Sequence, residues 1–234
     1  MKIILNNLKP KYMSESEVAG SDIYLQPSMV FEQGRRYMVC ARSGHGKTSL
    51  LNFIYGISDR YDGTIERRYE NADAKTESGE WKTEIGKRRA GNGKLGELSQ
   101  LTFRVSVLSY MFQDLRLFPE LTAMENVQLK NRLTDFKSDA EIERMLDALL
   151  PEGKKRQPVG TLSLGQRQRV AAVRALCQPM RFLLLDEPFS HLDHDTAAQV
   201  AAMISDEVEH QGAGLIVTAL DPTDLFRFDK TMKL

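Results

Sequence analysis

Three short stretches of almost unbroken apolar residues stand out along the chain: Arg36 to Ala41, Phe182 to Leu185 and Gly214 to Thr218. Runs of this length without polar alternation suit strands covered on both faces by helices. Elsewhere the apolar positions recur at helical spacing. Lys47 to Ile57 carries Leu50, Leu51, Phe53 and Ile54, and Thr196 to His210 lies between the second and third runs. That strand, helix, strand order predicts an α/β fold built on a parallel sheet. From Phe118 to about Cys177 the periodicity is helical, clearest over Glu141 to Leu150, which reads as a helical lobe inserted between strands of the core. The interval from Glu66 to Leu95 follows neither pattern. It is rich in Gly, Lys, Arg and Glu, poor in aliphatic residues, and holds the single Trp81. Its mixed charges predict a solvated loop or hairpin rather than a nucleic-acid surface.

Composition narrows the class of protein. The 234 residues suffice for one large domain or two small lobes, and 32 Lys plus Arg against 32 Asp plus Glu leave no net field to attract nucleic acid or an anionic membrane. Any membrane connection must then come through a protein partner. No stretch approaches the ~18 apolar residues needed to span a bilayer, and Met1 to Asn7 turns polar too soon for a signal peptide, so a cytoplasmic location is expected. Cys40 and Cys177 sit among apolar residues without paired spacing, which predicts reduced, buried thiols.

Candidate chemistry begins at Ala41-Arg42-Ser43-Gly44-His45-Gly46-Lys47-Thr48-Ser49, between a predicted strand and a predicted helix. A glycine-rich turn there lets successive backbone N–H groups face a dense anion, while the helix adds the positive end of its dipole. Ser43, Gly44, His45, Gly46, Lys47, Thr48 and Ser49 are the candidate phosphate contacts. Lys47 would supply a point charge to the β- and γ-phosphates, and Thr48 a hydroxyl ligand for Mg²⁺. The strict template has glycine where Ala41 stands, and alanine keeps the N–H. Further on, Phe182 to Leu185 runs directly into Asp186-Glu187-Pro188. Charges at the end of a buried strand need a cation or solvent. Asp186 is the candidate to hold Mg²⁺, and Glu187 the candidate general base for an attacking water. A bare helix start and an acidic helix cap are the plain alternatives for the two motifs, and each is weakened by the presence of the other.

Leu162-Ser163-Leu164-Gly165-Gln166-Arg167-Gln168-Arg169-Val170-Ala171 resembles the Leu-Ser-Gly-Gly-Gln signature of the ATP-binding cassette (ABC) family and the helix that follows it. Tyr110-Met111-Phe112-Gln113 is similar to that family's glutamine loop, and Ser190-His191-Leu192-Asp193 to the loop after its acidic strand, all in the family's order. The stretch from Phe112 to Val127 looks most like the lipoprotein-releasing, macrolide-efflux and cell-division branch. The resemblance runs from about Gly34 to the C-terminus, apart from the polar interval. It implies a single P-loop NTPase domain with a mostly parallel sheet, an antiparallel β region and an inserted α-helical subdomain. Residues 1–112 and 178–234 would form the core and about 113–177 the helical part. It further implies a homodimer that closes head-to-tail on ATP and Mg²⁺ and docks to an integral membrane permease. Ser163, Gly165 and Gln166 of one copy would meet the nucleotide held by the phosphate loop of the other. Gln113 would approach Mg²⁺ and the attacking water, and Asp193 would link the two sites. An aromatic residue before the core would stack on adenine, with Tyr12 the first candidate and Tyr24 the second; packing in the core is the alternative for either.

Two positions depart from this pattern. Where the family's switch histidine follows the last core strand, this chain has Ala219 or Leu220, neither of which can hydrogen-bond a phosphate or a water, so hydrolysis is expected to be slow. Leu164 replaces the signature's first glycine, which predicts a looser or slower closed dimer. His191 and His194 flank the acidic motif, yet with Asp193 and Asp195 they match no common zinc spacing. The leading functional reading is an energy-coupling ATPase docked to a membrane subunit. Leu115, Leu117, Phe118 and Leu121 then offer either a docking place for that subunit or core packing for the helical lobe. The competing reading, which the two departures favour, is a nucleotide-gated signalling or interaction module with little turnover.

Overall fold

The computed structural model describes residues 1–68 and 103–234. Two sheets organise them. Strands β1 (Lys2–Pro10), β2 (Met29–Glu32) and β4 (Tyr61–Arg68) form an antiparallel sheet in the order β2-β1-β4. The second sheet is wholly parallel and contains β3 (Arg36–Cys40), β5 (Leu108–Met111), β6 (Phe182–Asp186), β7 (Gly214–Ala219) and β8 (Lys230–Lys233), in the order β5-β6-β7-β3-β8.

Period-two alternation along the central strands divides the core between the two faces of the parallel sheet. Phe182, Leu184 and Ile216 pack with helix α1 (Lys47–Tyr55) and with Ile3, Leu5, Phe31 and Ile65 of the antiparallel sheet. Leu183, Leu185, Leu215 and Val217 pack on the other side. There they meet α2 (Ala123–Asn131), α3 (Asp139–Leu149), α4 (Leu164–Leu176) and α5 (His194–His210). Cover on both faces explains why β6 and β7 read as unbroken apolar runs. Their pairing also constrains Gly214, which lies opposite Phe182; a Cβ there would stand 2.5 Å from the phenyl ring.

Helix starts follow from local chemistry. Capping boxes open α2 (Thr122 with Glu125), α3 (Ser138 with Glu141) and α4 (Ser163 with Gln166). Helix α1 differs: it starts at Gly46 in the left-handed region, and no side chain of its N-cap residue takes up the first-turn N–H groups. A helix start without a side-chain cap suits an anion.

The three predicted core strands are β3, β6 and β7, and the two predicted helices are α1 and α5. The region predicted as helical contains α2, α3 and α4, with 3₁₀ turns at Lys154–Arg156 and Val159–Thr161. Glu66, Arg67 and Arg68 belong to β4 and pair with Ile4, Ile3 and Lys2, so regular structure reaches into the interval read from sequence as a polar excursion. The rest of that interval, including Trp81, lies outside the described residues. Cys40 and Cys177 are buried and form no disulfide. Among the described residues no helix is long and apolar enough to cross a membrane.

Candidate functional site

The turn between β3 and α1 passes through two left-handed glycines, Gly44 (φ 83°) and Gly46 (φ 88°), and lies largely exposed. Tyr24 braces it from beneath. Its hydroxyl donates to the Gly46 carbonyl at 2.9 Å, and a Cβ on Gly46 would lie 2.9 Å from the same oxygen. Tyr24 is fully buried, and burial raises the phenol's pKa, so it remains a donor; it is core and out of reach of an adenine ring. Tyr12 is 57% exposed beside the turn, its hydroxyl bonded to that of Ser49. Ser43 and His45 are exposed on the turn, the His45 ring hydrogen-bonding the Ser43 carbonyl.

Lys47 and Thr48 lead from this turn into a closed circuit of polar contacts. The Lys47 ammonium, only 5% exposed, donates to the carbonyls of Ala41 (2.7 Å) and Arg42 (3.2 Å) and pairs with Glu187 Oε1 at 3.2 Å. The Thr48 hydroxyl donates to Gln113 Oε1 at 3.2 Å, and Gln113 Nε2 donates to Glu187 Oε2 at 3.3 Å. Lys47, Thr48, Gln113 and Glu187, four candidate residues from three chain segments, thus converge. Behind them Asp186 ends β6, with Oδ1 accepting from the Thr218 hydroxyl at 2.6 Å and Oδ2 from that of Tyr110 at 3.5 Å. Burial raises the Asp186 pKa above the ordinary carboxylate value, against the opposing pull of the Thr218 and Thr48 hydroxyls. The Thr48 hydroxyl, the Gln113 amide oxygen and the Asp186 carboxylate are all hard oxygen donors, the set that Mg²⁺ prefers.

Backbone strain concentrates here. Glu187 has φ 49°, and Leu115 and Arg116, just after Gln113, have φ 60° and 47°. Left-handed backbone costs a non-glycine residue roughly 1–2 kcal/mol and persists only where its surroundings enforce it. For Glu187 one such restraint is its own N–H, which donates to the Thr218 carbonyl at 3.0 Å.

Ser163 and Gln166 hold each other at the start of α4: the Ser163 hydroxyl accepts from the Gln166 N–H at 3.2 Å, and Gln166 Oε1 accepts from the Ser163 N–H at 3.0 Å. Gly165 is pressed against the loop after β6, where a Cβ would lie 2.9 Å from the His191 carbonyl. Leu164 points to solvent's side of the helix start and is exposed. Among the described residues, none of Ser163, Gly165 and Gln166 hydrogen-bonds the phosphate loop of its own chain. Asp193 caps α5, accepting from the Thr196 N–H at 2.9 Å and from its hydroxyl at 2.8 Å. His191 and His194 are exposed, and the His191 ring bonds the Ser190 hydroxyl. Ala219 ends β7, and Leu220 is 51% exposed just beyond it. Of the apolar residues after Gln113, Leu115 and Leu117 pack into the helical side of the core, whereas Phe118 is exposed.

Two residues of the site escaped the sequence reading, and both lie on α4. Gln168, buried, donates to the Glu187 carbonyl (3.2 Å) and the Ser190 hydroxyl (3.4 Å) and accepts from the His191 N–H (3.2 Å). Arg174 donates to the carbonyls of Leu115 and Arg116. The available signal was a long polar side chain on or beside the face of a helix whose buried positions, Gln168 apart, are the apolar Val170 to Val173, Ala175 and Leu176.

The chain is similar to known proteins in sequence and fold. The ABC transporter family pattern matches residues 25–190. The uncharacterized ABC transporter ATP-binding protein YvrO of Bacillus subtilis is 29% identical over 234 residues, spanning 98% of this chain and 92% of its own. The lipoprotein-releasing system ATP-binding protein LolD of Syntrophotalea carbinolica is 30% identical over 215 residues, spanning 89% and 86%. In fold, the chain is similar to the dimeric bacterial ABC transporter cassette MJ0796, with a TM-score of 0.74 at 23% identity over 99% of this chain and 94% of that one. With a family match over more than half its length and the phosphate loop, acidic strand end and signature helix in place, the chain belongs to the ABC transporter family, as an ATP-binding cassette.

Proposed function

We propose that this cassette hydrolyses Mg-ATP as a head-to-tail homodimer and, from the cytoplasmic side, drives a separate integral membrane permease, with no role in nucleic-acid binding. The observation that carries the reading is the convergence of Lys47, Thr48, Gln113 and Glu187 in front of Asp186. The backbone N–H groups of Ser43 to Ser49 cradle the triphosphate, and Lys47 turns from Glu187 to the β- and γ-phosphates. Thr48, Gln113 and Asp186 hold Mg²⁺, which when bound neutralises charge on the phosphate oxygens. Glu187, released from Lys47, accepts the proton of the attacking water, and Gln113 orients that water. Tyr12 stacks on adenine. Ser163, Gly165 and Gln166 of the second copy close over the γ-phosphate, with the N-terminus of that copy's α4 adding its dipole, and Asp193 lies at the junction between the two sites. The exposed Phe118 and neighbouring Leu121 supply apolar surface for the permease.

Replacing Glu187 by Gln removes the base and keeps the shape. The expected result is a stable dimer in Mg-ATP, read by light scattering after size-exclusion chromatography, with hydrolysis at least a hundredfold slower. A variant that stays monomeric at saturating ATP would sink the sandwich mechanism. The permease is tested by co-purification with a multi-span membrane protein encoded beside this one. Ala219 and Leu220, where a histidine would assist the reaction, favour a second reading in which ATP binding alone carries the signal. Rapid steady-state turnover by the isolated protein would count against that reading.

A further inference from the structure

Arg174, in the last turn of α4, reaches from the signature helix to the loop that follows Gln113. Its Nη1 donates to the Arg116 carbonyl at 2.7 Å and its Nη2 to the Leu115 carbonyl. These are the two consecutive residues with left-handed backbone, and neither is glycine. A turn of that kind holds only while another part of the molecule fixes it. A planar guanidinium on adjacent carbonyls suits that task, since both prongs are set by one rigid group. Arg116 makes its own side-chain contacts within the loop, its guanidinium 3.9 Å from the Phe112 ring centre and paired with Asp114 at 3.3 Å, while the Leu115 side chain packs into the core. Arg174 adds a hydrogen-bonded hold on the turn's own carbonyls from a different element. Immediately before the turn, Gln113 makes the two bonds that join Thr48 to Glu187. Earlier on the same helix Gln168 holds the Glu187 carbonyl, so the loops of Gln113 and Glu187 both hang from α4.

We propose that Arg174 is a positioning residue for Gln113. By fixing the Leu115–Arg116 turn it sets where the Gln113 amide stands between the phosphate loop and Glu187, and it makes that placement follow the signature helix. The inference rests on the reading of Gln113 as part of the hydrolytic site. A merely structural Arg174 would lower activity whatever residue stands at 113, whereas a positioning Arg174 matters only while Gln113 is present.

The test is a double-mutant cycle on the full chain: unaltered protein, Arg174→Met, Gln113→Ala and the pair, each followed by single-turnover phosphate release from Mg-ATP. Arg174→Met is expected to slow hydrolysis roughly tenfold to a hundredfold, with affinity for a fluorescent ATP analogue kept within about twofold. In the Gln113→Ala background it should change the rate little. Equal fold losses in both backgrounds would overturn the inference. If Gln113→Ala alone leaves the rate unchanged, the reading of the site fails instead. Should Arg174→Met not fold, Arg174→Lys enters the same cycle; it keeps the charge, loses the fork and is expected to show a smaller loss that again disappears without Gln113.

Discussion

Asp186 sits where its charge is least comfortable, at the inner end of β6 and 1% exposed. Because burial raises its pKa, the folded protein without ligand binds this proton more tightly than the unfolded chain does. Its contribution to stability is therefore complete below the ordinary Asp value of about 4 and is lost as pH rises through the raised value. Asp186→Asn should melt higher than the unaltered protein at pH 7, and the gap should close toward pH 4 while Mg²⁺-dependent ATP binding is lost. An Asn variant that melts lower at pH 7 would contradict this account. The end of β7 makes a second prediction at this scale. The Thr218 side chain reaches Asp186. Histidine at Ala219 or at Leu220, which follow Thr218 at the end of β7, should reach the phosphate end of the site and raise single-turnover hydrolysis about tenfold or more in at least one of the two variants. Tyr24 teaches the converse lesson: the aromatic beside the phosphate loop could be named from sequence, but its burial could not.

Among the elements, the helical lobe is joined to α5 by Lys137, whose ammonium lies 2.7 Å from Glu207, with both side chains about nine-tenths buried. Removing one partner strands the other charge. Lys137→Met should cost about 3–5 kcal/mol in urea unfolding, while Lys137→Met with Glu207→Met should be near neutral. Loss of the cap by Ser138→Ala should cost about 1 kcal/mol, because the Glu141 N–H then loses its side-chain acceptor. The same physics decides which elements were legible. Strands β3, β6 and β7 are buried on both faces and advertise themselves as apolar runs. Strand β5 conceals itself because Ser109 and Tyr110 interrupt its apolar pattern. The Ser109 hydroxyl is nevertheless satisfied by the Ala175 carbonyl, and Tyr110 by Asp186. Strand β8 buries only Met232, and in β4 only Ile65 is buried, so neither carries a periodicity to read. Phosphate loop, acidic strand end and signature were visible as local strings. The roles of Gln168 and Arg174 were not, since each depends on a loop distant in sequence arriving beside α4.

At the scale of the molecule, the balanced charge supplies no net attraction for nucleotide, so in the proposed function the phosphate loop would attract ATP through its own N–H groups and Lys47. That lysine is engaged by Glu187 and by the carbonyls of Ala41 and Arg42. A triphosphate that takes this lysine, as proposed above, would displace the internal anion. If entry waits on that exchange, the observed binding rate should level off at rising ATP concentration, at the frequency with which Lys47 and Glu187 part. Stopped-flow measurements on Glu187→Gln, which lacks the competing charge, should show a faster and more nearly linear rise. The same exchange would act as a safety catch, since the carboxylate proposed to activate water would stay occupied until the substrate's phosphates take over the lysine.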